Sequence, residues 1–189
     1  MDNRGWDSRS LCAESGPRLS QPQHSPKLRA SFRLGALVFE RAAALYKAGL
    51  AARVLVPTNA SHDPAIAHLM SQSILELMIR EAQLQHAEIL PIRILEPISL
   101  NAAYQIRDFL TKAHLRSVIV VTDGFRSKRS SLVYHAVLDP AGIKVGCMPV
   151  FGERTPKNWT VTWHGVEDVT EQFLKLQYYR FYVLWSRLA

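Results

Sequence analysis

The chain has 189 residues, of which 48% are hydrophobic and 21% are charged, and 23 lysines and arginines against 16 aspartates and glutamates give it a net charge of +7. This length and composition fit one globular domain with a sizeable core. The cysteines, Cys12 and Cys147, are far apart, which argues against a disulfide or a cysteine metal site. No apolar stretch approaches the ~18 residues of a membrane span. The positive charge favours an anionic partner, but it is not gathered into one run, so nucleic acid is a weak candidate.

The first part of the chain predicts a tail, a helix and a strand. Residues 1–31 are rich in serine, proline, glutamine and arginine and show little periodicity, which is typical of disorder. We therefore place one domain over residues 32–189. From Val38 to Gly49 the apolar residues share one helical face, and Gly49 is suited to end the helix. Residues 53–57 are predicted to form a strand.

The next part predicts a core helix, a strand and a third helix. Asp63–Pro64 is a good helix start, and an apolar stripe continues to His86. Its members, expected to face the core, are Ile66, Leu69, Met70, Ile74, Leu77 and Met78. Residues 91–95 predict a short strand, and a turn leads into a helix that ends near His114. Ser99 and Asn101 are candidate caps of that helix.

The stretch Ser117–Ser130 is the most informative in the chain. Its apolar run, Val118–Val121, predicts a strand buried on both faces of a parallel sheet. A polar turn and a helix follow, with Arg126 and Arg129 in or near the first helical turn. Cations there oppose the helix dipole at a cost of roughly 0.3–1 kcal/mol each. The pattern therefore predicts an anionic partner; the alternative is a solvated basic turn.

The rest of the chain completes an alternation of strands and helices. A helix to about Leu138, a strand at 144–150, a polar loop and a last helix over 166–187 are predicted. The expected buried side of the last helix is Val169, Phe173, Leu176, Tyr179 and Val183. The pattern predicts a three-layer, Rossmann-like α/β domain with a mainly parallel sheet of four to five strands. We expect those strands near 53–57, 91–95, 117–122 and 144–150.

Polar residues follow the predicted strands, where parallel sheets bind ligands. The predicted ligand-binding residues are Asn59, Glu96, Ser99, Asn101, Thr122, Asp123, Gly124, Arg126 and Arg129. Arginine suits phosphate or carboxylate, so we expect a small anionic ligand. Glu96 could act as a base, hold a ribose hydroxyl, or only pair with Arg126 or Arg129. Asp123 beside two arginines is a poor cation site, and no metal is expected.

A second aromatic segment lies near the start of the last helix. Trp159, Trp163 and His164 are close in sequence and lie beside a basic loop. They could wall a pocket or stack on a flat ligand, or simply pack as a lid on the sheet. No nucleophile elbow, phosphate-binding glycine loop or catalytic triad is present, so catalytic residues stay unassigned.

The order of these segments resembles the YdcF-like family, which includes the ElyC and SanA envelope proteins. The matching positions are Arg41, Leu45, Tyr46, Gly49, Glu96, Ser99, Asn101, Val121, Thr122, Phe125, Arg129, Glu171 and Lys175, so the resemblance covers about residues 38–185. The chain departs from the family where Arg126 replaces a usual histidine and Thr58-Asn59 replaces a glycine pair.

The largest departure is upstream of the first predicted helix, where the family has a strand that ends in a glycine-rich turn. Residues 1–36 contain no convincing equivalent, so either Phe32–Val38 substitutes poorly or the strand is missing. A missing strand would expose a sheet edge.

The resemblance implies a bacterial role in cell-envelope or peptidoglycan physiology, with S-adenosylmethionine as a possible cofactor. The chain as written would then be cytoplasmic or peripheral to a membrane, or envelope-associated if a membrane helix lies upstream. Whether it is an enzyme stays open. The alternatives are a degenerate binding module without chemistry and a nucleic-acid binder that relies on net charge.

Overall fold

The computed structural model describes residues 26–59, 75–84 and 87–185. Its helices are α1 (Pro26–Lys47), α2 (75–81), α3 (Ile98–Lys112), α4 (Ser127–Leu138) and α5 (Trp163–Tyr178). Its strands are β1 (Val54–Asn59), β2 (Ala87–Ile92), β3 (Ser117–Asp123) and β4 (Lys144–Val150). Short 3₁₀ turns cover Asp139–Ala141 and Trp159–Val161, and a π-helical turn covers Tyr179–Val183. The predicted α/β class is confirmed.

The strands form two parallel pairs instead of one continuous sheet. β1 pairs with β2 from Val54 opposite Ala87 onward, and β3 pairs with β4 from Ser117 opposite Lys144 onward. Within the described residues no ladder joins the two pairs. The apolar run Val118–Val121 does form a strand, but among the described residues that strand has a single neighbour, which differs from the predicted sheet interior.

Helices cover both faces of the strands. On one face Leu55, Leu90, Val118 and Val145 pack against a buried cluster. That cluster consists of Ile106, Leu110, Leu138 and Ile143, so α3 and α4 lie over both strand pairs. On the other face Val54 packs with residues of α1 and α2, because neighbouring residues of a strand point to opposite faces. The β1–β2 pair thus has helices on both of its faces.

The N-terminal helix is longer than predicted. α1 begins at Pro26, inside the stretch predicted to be disordered, and it includes Phe32–Val38. That stretch therefore does not substitute for a first strand. Residues 1–25 lie outside the described part of the chain.

The second strand is displaced from its predicted position. β2 covers Ala87–Ile92 instead of residues 91–95, with Pro91 opposite Thr58. Proline lacks an N–H, but a strand with a single neighbour tolerates it because one of its edges needs no donor. The strand therefore extends to the N-terminal side of Pro91, which the sequence pattern did not predict.

Two predicted apolar stripes are only partly buried. Ile66, Leu69, Met70 and Ile74 lie outside the described residues, whereas Leu77 is 44% exposed, so its expected core position is wrong. In the last helix Phe173 is 56% exposed, also against expectation, while Tyr179 and Val183 are buried as predicted. The π-helical turn begins after Phe173, at Tyr179, so it does not account for the exposure of Phe173.

Candidate functional site

The turn after β3 has a fixed geometry. Asp123 Oδ1 accepts a hydrogen bond of 3.0 Å from the Phe125 N–H, and the Gly124 N–H donates to the Val150 carbonyl at 2.8 Å. The Phe125 and Phe151 rings meet edge to face with centroids 5.4 Å apart. A Cβ at Gly124 would lie 2.1 Å from the Phe151 ring, so this position requires glycine. Asp123 thus orders the turn.

Two arginines follow this turn at the start of α4. Arg126 is the N-cap residue and makes no side-chain cap bond. Arg129 is partly buried, and its Nε is enclosed without a hydrogen-bond partner in the described structure. No carboxylate of the described residues lies within 4.0 Å of either guanidinium. The start of α4 therefore presents two positive charges that are not in ion-pair contact with any described acid.

The electrostatics of Arg129 agree with its position. Burial lowers the pKa of the Arg129 guanidinium, and the nearby charge of Arg126 lowers that pKa further. Both effects mean that the protonated form is less well stabilised than in water. A bound anion would counteract both effects on the pKa, because it would supply an opposite charge.

Tyr179 connects this turn to the first turn of α3. Its side chain is 5% exposed, and its hydroxyl accepts a hydrogen bond of 3.0 Å from the Ser99 N–H. The Arg129 guanidinium carbon lies 5.7 Å from the centroid of the Tyr179 ring. Helical periodicity predicted that Tyr179 is buried, but no sequence signal indicated that its hydroxyl joins two turns. A π-helical turn, as at Tyr179–Val183, is common at functional sites.

The turn after β2 uses its polar groups internally. The Asn101 Nδ2 donates to the carbonyls of Leu95, Glu96 and Pro97 at 3.2, 2.8 and 3.4 Å. The N-cap of α3 is Pro97, with no side-chain cap bond, so the prediction that Ser99 or Asn101 caps this helix is wrong. Both residues already lie inside α3, and the Asn101 side chain reaches back to close the loop.

The structure brings together some of the predicted site residues. Thr122 and Asp123 end β3, Gly124 and Arg126 follow in the turn, and Arg129 lies in the first turn of α4. Ser99 is connected to this group through Tyr179, whose hydroxyl accepts a hydrogen bond from the Ser99 N–H and whose ring lies beside Arg129. Asn59 is the last residue of β1. Glu96 is exposed and does not form the alternative ion pair with Arg126 or Arg129.

Several charged residues in α5 and in the loop before it pair with each other. Arg154 pairs with Asp168 and donates to the His164 carbonyl, so it does not reach the turn after β3. The Lys175 ammonium bonds the Glu171 carboxylate and, as the main cause, lowers its pKa; Arg126 adds a smaller effect. Glu171 is thus the described acid whose charge acts on Arg126 from beyond ion-pair distance. A second enclosed atom without a partner, Gln172 Oε1, belongs to the next residue.

The aromatic segment and the metal-ligating residue types of the described residues give little support for further sites. Trp163 is 75% exposed at the start of α5. His164 Nδ1 lies 3.5 Å from the Glu167 carboxylate. Among the described residues no group of three or more histidines, cysteines or acids could hold a metal ion. No described helix has the length and apolarity needed to cross a bilayer.

Comparisons with known proteins identify no relative of this chain. No protein-family model matches this sequence, and no curated protein or solved structure matches it. The resemblance to the YdcF-like family therefore depends on the short motifs of the sequence and stays a prediction. The chemistry of the chain has to be argued from the site itself.

Proposed function

We propose that this chain binds a small anionic or nucleotide-like ligand at the turn between β3 and α4, with Arg126 and Arg129 as its main contacts. The observation that carries the proposal is the Arg129 Nε, which is enclosed and has no hydrogen-bond partner in the described structure. Buried polar groups in proteins are almost always paired, and an unpaired donor costs about 1–3 kcal/mol. A ligand oxygen is a partner of the right chemistry.

The fixed turn supports this proposal. Gly124 keeps the turn tight against Phe151, and Asp123 holds the Phe125 N–H, so the start of α4 is ordered before any ligand arrives. A pre-ordered site loses little conformational entropy on binding. The partial positive charge of the helix start adds to the two guanidiniums. These features favour phosphate or carboxylate.

Binding without catalysis is the form of the proposal that the residues favour. The turn contains no histidine, and its acid, Asp123, accepts a backbone hydrogen bond. Glu96 makes no ion pair with either arginine. A group that transfers a proton must reach the reacting atom, and the turn itself offers none.

The sequence motifs alone support an extension of the proposal to the physiological role of the chain. The ordered matches to the YdcF-like family support a role in cell-envelope or peptidoglycan physiology, with S-adenosylmethionine as a candidate ligand and a Rossmann-like sheet of four to five strands as the complete fold. S-adenosylmethionine has a carboxylate but also a sulfonium, so two guanidiniums favour a phosphate-bearing nucleotide over it.

The test compares Arg129→Ala and Arg129→Lys with Lys128→Ala. Lys128 is exposed and lies one residue away, so its substitution removes the same charge without touching the enclosed position. Inorganic phosphate, AMP, ATP and S-adenosylmethionine are the probes, read by thermal shift and calorimetry. We expect Arg129→Ala to weaken phosphate or nucleotide binding by about 1.5–3 kcal/mol, roughly 10- to 150-fold.

The same variants separate binding from a structural role. Arg129→Ala should leave the melting temperature unchanged or slightly higher, because alanine is a good helix former and a cation leaves the first helical turn. Arg129→Lys should restore binding only in part, since lysine cannot form a two-pronged contact. A loss of stability with unchanged affinity would overturn the anion site. Steep salt dependence toward oligonucleotides, with no small-anion binding, would favour nucleic acid instead.

A further inference from the structure

A cleft separates the two strand pairs. Its volume is about 360 Å³, and β1 lines it through Val54–Pro57 while β3 lines it through Ser117–Ile119 and Val121. Neither strand has a hydrogen-bonded neighbour on its cleft side among the described residues. Two open strand edges of one molecule therefore face the same space.

The spacing of β1 and β3 leaves room for an additional strand. Hydrogen-bonded neighbours in a sheet lie about 4.8 Å apart, so strands on either side of a missing one are about 9.6 Å apart. The Cα atoms of β1 and β3 lie, almost without exception, more than 8 Å from each other. The starts of both strands line the same cleft, and the Arg53 guanidinium lies 5.8 Å from the Phe109 ring at the end of α3. β1 and β3 therefore begin at the same end.

We propose that this cleft receives an extended apolar peptide segment of a partner protein, which adds a central strand between β1 and β3. Alternate N–H and C=O groups of each strand point away from its partner strand. A second strand satisfies both edges at once, whereas a small molecule leaves most of these groups unpaired. This proposal is independent of the anion site.

The lining determines the chemistry of the segment. On one face the cleft is closed by apolar residues of α1, namely Val38, Phe39, Ala42 and Leu45, and on the other by Leu110 and Leu115. A strand covered on both faces needs a nearly continuous apolar run, with β-branched residues preferred. Pro57 has no N–H, so the ladder on the β1 side is confined to Val54–Val56 and the segment is short.

The charges at the start of the cleft add a preference. Arg53 and Arg116 lie there, and Arg53 already pairs with Glu88 at 2.6 Å. Arg116 is exposed and pairs with no described acid. An all-parallel arrangement places the N-terminal end of the segment here. The partner segment should therefore begin with an acidic residue.

Residues 1–25 and 60–74 lack an apolar run of the kind that the cleft requires. Residues 1–25 contain scattered apolar residues between prolines, serines and charges, and residues 60–74 contain no β-branched apolar run. The β-branched runs of a second copy, such as Val118–Val121, are already paired within that copy. The apolar lining and the arginines at its start commit the proposal to a partner in trans, and a further segment of the same protein is an outcome of the test.

The test uses the full chain and a fluorescein-labelled peptide with two aspartates, then four alternating valines and isoleucines, then a short polar tail. A control peptide has proline at the second and third apolar positions, which removes two donors. Fluorescence anisotropy measures affinity, and amide hydrogen exchange locates protection. We expect the first peptide to bind at least about tenfold more tightly than the control and to protect amides of both β1 and β3.

Two matched variants locate the binding site. Ile119, 39% exposed, lies in the cleft, and Ile89, 45% exposed, lies on β2 away from it. Ile119→Lys should weaken peptide binding at least about tenfold because it brings a charge into an apolar cleft, while Ile89→Lys should not. Equal binding of both peptides, or equal effects of both variants, would overturn the proposal.

The state of the chain without peptide provides a further check. If the edges of β1 and β3 are already protected in a monomer, a segment of this chain fills the cleft and the proposal is wrong. If sedimentation shows a dimer with both edges protected, a second copy is the occupant, which also overturns it. Unprotected edges in a monomer, protected on adding peptide, would support it.

Discussion

The turns after β2 and β3 occupy equivalent places in the fold and use their polar groups differently. After β2, the Asn101 amide satisfies three carbonyls, and Gln105 bonds both the N–H and the carbonyl of Arg93. After β3, two arginines lie without a described acid beside them, and one has an enclosed donor with no partner. A turn closed by its own amide side chains is suited to a structural role, whereas one that leaves two arginines without an ion-pair partner is suited to a ligand.

The largest expected effect tests the turn after β3. Gly124→Ala places a methyl group against the Phe151 ring, which Phe125 holds edge to face. The clash should lower the free energy of unfolding by about 1–3 kcal/mol and weaken anion binding, because the start of α4 moves. Urea denaturation and phosphate titration measure both effects.

A matched glycine serves as the control for that variant. A Cβ at Gly146 on β4 would lie 3.6 Å from Ile119 Cγ1, an ordinary contact, so Gly146→Ala should change stability and binding little. If Gly124→Ala leaves both quantities unchanged, the turn is not fixed by this packing, and the contrast between the two turns loses its basis.

The next effect tests the turn after β2. Asn101→Ala removes the bonds to three carbonyls and should lower the free energy of unfolding by about 1–2 kcal/mol. Anion affinity should remain within about twofold, because this turn is proposed to be structural. Thermal denaturation and phosphate titration on one preparation provide the measurement. A large loss of affinity with intact stability would place Asn101 in the site and contradict the division.

The smallest effect sharpens the electrostatics near Arg126. Glu171→Gln removes the exposed pair with Lys175, worth about 0.2–0.5 kcal/mol in a helix. It also removes a negative charge that acts on Arg126 and Arg129, so anion affinity should rise slightly. Calorimetry at low salt, repeated at high salt to screen the charge, measures this effect. Weaker anion binding in the variant would contradict the expected sign.

The pH dependence of this pair has a definite direction. The folded pKa of Glu171 is lowered from 4.5, so its contribution to stability is present above the unfolded pKa and is lost as the pH falls through the folded value. The difference in stability between wild type and Glu171→Gln should therefore shrink in acid below about pH 4.5. A difference that persists in acid would assign the effect to helix propensity instead of charge.

Local chemistry predicted much of the candidate site. The apolar run Val118–Val121 predicted β3, and the cations after it predicted a basic helix start, because both signals depend on residues close in sequence. The role of Tyr179 could not be predicted in this way. Its hydroxyl meets the Ser99 N–H only because α3 and the π-helical turn are brought together by the core.

By itself, the sequence determined the alternation of strands and helices, the positions of β1, β3 and β4 to within a few residues, and the presence of two arginines after β3; that no described acid pairs with them was decided by the tertiary structure. The features that the sequence determined are consequences of periodicity, apolar runs and charge, which act over a few residues. Tertiary structure decided which strands are neighbours, because pairing depends on segments far apart in the chain. It left β1 and β3 on either side of a cleft, where a continuous sheet had been predicted.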